Sequence, residues 1–428
     1  MREMKDSGIA WIGVIPQDWE IVRTKSLYCS AKEIAGDRAD DFERLALTLN
    51  GVIKRSKEDS VGLQPEKFSG YQILKKGELV FKLIDLENVA TSRVGLSPYT
   101  GIVSPAYIVL SKQSRAKDLV VRYSMYHFLS MWQREIFNQM GDNGVRSSLN
   151  TKELLNIPHP FPSICEQKRI VTFLDAQCAE IDTVLEKTRA SIEEYKKLKQ
   201  AVITQAVTKG IRGDRPMKDS GIEWIGDIPA EWDVIRVKQL LKERNERSKE
   251  GKEEPLSMSQ KVGLVPTKFL DSIPNMASSF VGAKLAYVDD LVFNKLKAHL
   301  GVFSVSRYDG LVSPDYAVYC STGKSNLKYL EYIFKTPQCI GEFRKKSTGI
   351  AAGLMRLYTE GLFSIYLPYP ALSEQEEIAE YLNEKCAGID ALIAKKQQYL
   401  TEIENYKKSL IYEYVTGKKE VKISVLAD

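Results

Sequence analysis

In this chain of 428 residues the side chains able to do chemistry are few and badly spaced for it. Three histidines are present, His127, His159 and His299, and no two stand at the spacing of a zinc or iron ligand pair. The six cysteines, Cys29, Cys165, Cys178, Cys320, Cys339 and Cys386, are scattered with no CxxC. The opening MREMKDSGIAWIG has no apolar signal core, so they are expected as reduced cytosolic thiols and the chain as cytoplasmic. Among 27 glycines no two are separated by a single residue. The GxG turn of a dinucleotide or S-adenosylmethionine loop is therefore absent. Gly-Lys pairs begin at Gly251, Gly323 and Gly417, and none has the glycine five residues earlier that a Walker cradle needs. Ser104-Pro105-Ala106-Tyr107 and Ser313-Pro314-Asp315-Tyr316 approach the [DNS]PP[FYW] loop of an amino-methyltransferase, but both lack the second proline. A structural turn fits them better. Pro314-Asp315 is the only Pro-Asp pair, and no compact nuclease set accompanies it. The expectation is a chain without an active site, a bound cofactor or a metal. No run approaches the ~18 apolar residues of a membrane span.

What the residues do carry is a repeat. MKDSGIAWIGVIPQDWEIVRTK (4–25) returns as MKDSGIEWIGDIPAEWDVIRVK (217–238), with 14 of 22 positions identical. VGLQPEKF (61–68) returns as VGLVPTKF (262–269), GIVSPAY (101–107) as GLVSPDY (310–316), and PSICEQKRI (162–170) as PALSEQEEI (370–378). The order is the same and the offsets stay between 201 and 213, so the chain is a tandem duplication. In each half, strand-like runs (GELVFKLI, GIVSPAYIVL, DDLVFNKL, LVSPDYAVY) alternate with Gly and Pro turns and with helical patterns at 119–137 and 327–334.

A long polar helix then closes each half. From Glu166 to about Thr208, Ile170, Leu174, Ile181, Leu185, Ile192, Tyr195, Val202 and Ala206 recur at steps of three, four or seven residues. From Glu374, Ile378, Leu382, Ile389, Ile393, Leu400, Ile403, Leu410 and Tyr414 do the same. Ser373 and Glu376 have capping-box spacing, and Gly210 and Gly417 stand where the helices should stop. A narrow apolar seam on a charged rod of about 64 Å suits coiled-coil pairing better than burial in a globule. The expected fold is α+β: two mixed domains separated by two long helices that pair as an antiparallel coiled coil, a pseudo-twofold tandem repeat. The segments are 1–165, 166–209, 210–373, 374–418 and a tail, 419–428. Chain ends are expected close together, and the helices are expected to act as a ruler between the domains.

Net charge is +5. Residues 20–155 carry 20 basic and 16 acidic side chains, and residues 233–362 carry 20 and 14. The mixed domains hold the positive charge and the helices do not. Two basic modules in one chain suit a long polyanion such as duplex DNA.

The SGIxWIGxIPxxWxxxR segments, the GxVSPxY strands and the EQxxI junctions into long helices ending in Val-Thr resemble the specificity subunit of type I restriction-modification systems. The resemblance covers essentially the whole chain, twice, in the family's order. It implies two target recognition domains, each reading half of a split, asymmetric DNA sequence. It also implies paired helices that space them and dock two methyltransferase subunits, which endonuclease-translocase subunits join. S-adenosylmethionine, ATP and Mg would then belong to the partners. Alternatives are a specificity subunit of a related non-type-I restriction enzyme and a free DNA-binding regulator.

Base reading needs Arg, Lys, Asn or Gln at groove edges, and phosphate contacts need Lys or Arg. Candidates are the basics that differ between halves: Lys54, Arg55, Lys57, Lys82 and Arg93 in the first, Lys284, Lys297, Arg307 and Arg344 in the second. Arg146 and Arg356, in Gly-containing loops before the junctions, are taken as equivalent. Lys67 and Lys268 match between halves, as do Tyr99 and Tyr308, which suits phosphate positioning or structure rather than base reading.

Overall fold

A computed structural model describes residues 2–30, 32–59, 67–84, 86, 93–140, 148–260, 262–270, 280–349 and 355–421. Its contacts divide the chain into two units, and the division does not follow the repeats. Unit 1 is Met1–Arg189 with Gln398–Asp428, and unit 2 is Ala190–Gln397. Each unit thus takes the end of one long helix and the start of the other.

Unit 1 builds two four-stranded sheets. One runs in the order Gly51–Arg55, Arg44–Thr48, Gly101–Val103, Gln72–Leu74, and the other Tyr28–Cys29, Ile108–Lys112, Leu79–Phe81, Val94–Leu96. The Ile102↔Arg44 pairing is parallel and the rest antiparallel. Leu79, Phe81 and Leu110 face the helix Val121–Gln133 through Phe128 and Met131, closing a core that also holds Leu149, Leu154 and Ile157. Two small ribbons flank the sheets: Met4–Asp6 with Val14–Pro16, and Glu20–Arg23 with Pro158–Phe161. One polar island lies inside. His127 and His159 are buried with ring centroids 4.5 Å apart, and the His159 ring bonds Ser124 Oγ at 2.9 Å and the Pro160 carbonyl at 2.7 Å. Burial pushes His159 down to about 4 and holds His127 well below the ordinary imidazole value.

Unit 2 repeats this plan with other residues. Its four-stranded sheet runs Leu241–Arg244, Tyr316–Ser321, Leu291–Asn294, Phe303–Val305, and its ribbons are Met217–Asp219 with Asp227–Pro229 and Asp233–Arg236 with Tyr366–Tyr369. The other sheet is reduced to two hairpin-like pairs, Leu256–Ser259 with Gly263–Pro266 and Lys284–Ala286 with Gly310–Val312. A parallel bridge, Pro255↔Leu311, stands where unit 1 pairs Arg44 with Ile102. Phe293, Phe303, Phe334 and Phe343 pack edge to face and stacked at the centre. Where unit 1 has His127 and His159, the same register brings Ile333 and Leu367, both buried.

The long helices span Ile164–Lys209 and Leu372–Val415. They pair antiparallel within each unit, since partner numbers fall as residue numbers rise. In unit 1 Phe173 meets Tyr414, Asp182 pairs with Lys407 at 2.6 Å and Arg189 with Glu404 at 2.6 Å. In unit 2 Lys396 lies over the Tyr195 ring and Lys199 pairs with Asp390 at 2.6 Å. Ile170, Leu174, Leu185, Ile192, Ile378, Leu382 and Leu410 of the expected seam are buried, as are Cys178 and Cys386. The expected cap at Ser373 is corrected. The second helix begins at Leu372, so Ser373 lies inside its first turn. In the first helix Ser163 precedes the helix and its Oγ accepts from Glu166 N at 3.4 Å, and the equivalent residue of the second is Ala371. Both stop glycines are left-handed, Gly210 at φ 74° and Gly417 at φ 70°.

Candidate nucleic-acid interface

Each mixed domain is fixed to its helix by the same buried constellation. The indole of Trp19 donates to Glu166 at 2.9 Å, and that of Trp232 donates to Glu374 at 2.8 Å. Arg2 and Arg215 clamp the same carboxylates and reach a second one, Asp18 and Glu231 respectively. The bond to Glu166 raises the Arg2 guanidinium further above its already high value. One residue on, the amide of Gln167 accepts from Val120 N at 2.9 Å and donates to the Pro162 carbonyl at 2.8 Å. Gln375 repeats this with Asn326 N at 3.0 Å and the Pro370 carbonyl at 3.0 Å. The EQ pair is therefore a lock, with the acid holding the Trp segment and the amide holding the domain. Tyr123 and Tyr329 complete it. Their buried hydroxyls, kept protonated by desolvation, donate to Pro160 and Val415 in one unit and to Pro368 and Val207 in the other. Gln and Tyr here donate and accept only within the protein, so this centre holds the domain and offers nothing to a substrate.

The loops at the other end of the lock form a repeated frame. Leu149 N donates to the Leu83 carbonyl at 2.9 Å, and Leu357 N donates to the Lys295 carbonyl at 3.0 Å. Ser104 and Ser313 each close a four-residue turn, with Tyr107 N and Tyr316 N bonding back to their carbonyls. The SPxY sequences are thus turns between strands, as expected of them. The same register corrects the pairing of Arg146 with Arg356. The residue opposite Arg356 is Ser148, and Arg146 lies outside the described residues.

The remaining candidates fall into three groups. Arg93 is fully buried and donates to the Ile84 carbonyl at 3.1 Å, and Lys284 is buried against Glu243 at 3.2 Å. Neither reaches a surface that DNA could touch, so both are corrected to structural residues. Lys54, Arg55, Lys57, Lys268 and Arg356 are partly or fully exposed and ion-paired, with Glu43, Asp59, Asp40, Glu254 and Asp315. Exposed pairs of this kind contribute little to stability. Lys67, Lys297, Arg307 and Arg344 are exposed and meet no carboxylate among the described residues, and Lys82 is half-buried. Lys54, Arg55 and Lys57 share one cleft, whose wall also carries Asp40, Asp41 and Glu43. Tyr99 and Tyr308 are equally exposed, and Ser97 and Ser306 hold their carbonyls at 2.7 and 2.6 Å. Lys295, whose Nζ donates to the Pro314 carbonyl at 3.3 Å, was not among the sequence candidates. Its position opposite the apolar Leu83 is the difference between repeats that could have flagged it. Among the described residues no group of three metal-ligating side chains converges.

The fold, built twice, is a mixed domain locked to one end of a long helix pair. It defines a class of duplicated domain-and-helix proteins. No protein-family model matches the chain. Two curated relatives from Methanocaldococcus jannaschii are named type I restriction enzyme MjaVIII specificity subunit and putative type I restriction enzyme MjaX specificity subunit. The first is 24% identical over 95% of this chain and 94% of the relative. The second is 25% identical over 96% of each. A chain solved in work on complex assembly and conformational transition of the type I R-M system aligns with a TM-score of 0.70 at 15% identity, over 95% of this chain and 99% of that one. The HsdS subunit from Thermoanaerobacter tengcongensis aligns with a TM-score of 0.50 at 14% identity, covering 95% and 98%. The fold is that of type I restriction-modification specificity subunits, and the resemblance carried by the Trp segments and EQ junctions extends along nearly the entire chain.

Proposed function

We propose that this chain is the non-catalytic sequence-reading subunit of a type I restriction-modification complex. Each mixed domain reads one half of a bipartite, asymmetric target in double-stranded DNA. The observation that carries this reading is the duplicated frame with unlike tips: the lock and the turns are identical in kind, while the exposed basic residues other than Lys67 and Lys268 differ. A frame that stays constant while its exposed residues change is what two half-sites of different sequence require. Methyltransferase and endonuclease-translocase subunits supply the chemistry, with S-adenosylmethionine, ATP and Mg bound on them. Docking on the long helices is supported by large apolar side chains left exposed there, Leu198, Leu392, Tyr399 and Tyr406.

The test is to replace residues 233–362 with the corresponding domain of another member and sequence the methylome of a host carrying the assembled system. One half of the modified motif should change and the other should stay. A motif that changed in both halves, or that was continuous, would overturn the reading.

A further inference from the structure

The two repeats build the same loop frame and arm it differently. Three positions on that frame change together. Leu83, Ala106 and Ser148 in unit 1 are Lys295, Asp315 and Arg356 in unit 2. Arg356 stands 3.5 Å from the Asp315 carboxylate, with the two side chains 41% and 46% exposed. A surface pair this open contributes little to stability. The backbone holds the loop instead. Arg356 N donates to Thr348 O at 2.9 Å, Thr348 N donates back at 3.0 Å, and Leu357 is anchored on Lys295. Lys295, whose Nζ donates to the Pro314 carbonyl at 3.3 Å, supplies positive charge beside the same turn.

An arginine with its backbone fixed on both sides, one guanidinium nitrogen 3.5 Å from a carboxylate and its side chain 41% exposed is equipped for bidentate recognition of guanine O6 and N7. Lys295 beside it is equipped for phosphate. We propose that Arg356, oriented by Asp315, is a specificity-determining residue of the second domain and reads a guanine in its half-site. Unit 1, with Ala106 and Ser148 on the same frame, reads no guanine from this position. The inference rests on the DNA-recognition reading above.

The experiment uses the full chain assembled with its methyltransferase subunits. Affinity is measured for duplexes in which each base pair of the methylated target is varied in turn, and for a random-sequence duplex. Arg356→Ala should lose roughly 5- to 150-fold discrimination at one G·C pair of one half-site. Affinity for random duplex should be nearly unchanged. Arg356→Lys should not restore the discrimination, because an ammonium lacks the fork. Asp315→Ala, which removes a positioning group, should relax the same pair by a smaller factor. An equal loss on every duplex would make Arg356 a phosphate contact and overturn the inference, as would unchanged discrimination at every position. Wild-type complex that failed to prefer its target over random duplex would overturn the DNA-recognition reading itself, which separates the two failures.

Discussion

Acidification should destabilise unit 1 through its histidines, and the size of the effect follows from burial. Unfolded, an imidazole takes a proton below about pH 6.5. Folded, His159 resists until about 4, because its ring is desolvated. The unfolded state therefore binds more protons between these values. The contribution of His159 to stability is complete above about pH 6.5 and is lost as pH drops toward 4. At about pH 5 the unfolded His159 is almost fully protonated and the folded one almost not, which costs about 2 kcal/mol relative to pH 7.5. His127 is displaced in the same direction and adds to the loss. The neighbouring phenols Tyr28 and Tyr123 are shifted upward by burial and stay protonated throughout this range. The perturbation is the double substitution His127→Ile with His159→Leu, which installs the residues that unit 2 carries at the same register. Urea unfolding would be followed by tryptophan fluorescence, since Trp11 lies 5.8 Å from His127. Acid-titrating carboxylates are common to both proteins. The wild type should thus lose at least about 2 kcal/mol more than the double variant between about pH 7.5 and 5. Parallel pH dependence of the two would refute the argument.

Two further outcomes are expected. The purified chain, mixed with DNA and labelled S-adenosylmethionine, should transfer no methyl group, and adding the methyltransferase subunits should start the transfer; label on DNA with the chain alone would contradict the assignment. Glu374→Ala should destabilise unit 2 by roughly 1 to 3 kcal/mol, because it leaves the indole N–H of Trp232 without an acceptor and takes from Arg215 one of its two carboxylates. Glu374→Gln, which can still accept from the indole, should cost less in the same urea titration.

Much of the fold was legible because it rests on local periodicity. The seam spacing located both long helices to within a few residues, and Gly210 and Gly417 marked their ends because a left-handed residue there is easiest for glycine. The strands around the SPxY turns were legible for the same reason. Contacts set by distant partners were not. Arg93 and Lys284 look like surface cations in sequence. Their burial depends on the Ile84 carbonyl and on Glu243, 41 residues from Lys284. The pairing of Arg356 with Arg146 slipped by two residues because glycine-rich loops give no register, whereas the Leu149 and Leu357 anchors do. The Trp and Glu motifs were visible as repeats, but Arg2 and Arg215 joined them only across 164 and 159 residues.

The way the chain crosses between units bears on the order in which it can fold on the ribosome. Domains commonly fold as they emerge, amino-terminal first. Here Trp19 sits in a cluster with Leu410, Ile411 and Val415, Pro16 and Trp19 close around Gly417, and Lys418 donates to the carbonyls of Ile12 and Val14. Every one of those partners is made after the whole of unit 2. Unit 2 has all its residues by Gln397, so the unit begun first is the unit finished last. Until residues 410–418 have been made, the apolar seat of the first Trp segment stays open. A nascent chain stalled or truncated shortly after Gln397 would carry a complete second domain and an unfinished first one, which is a form suited to removal by quality control rather than to assembly.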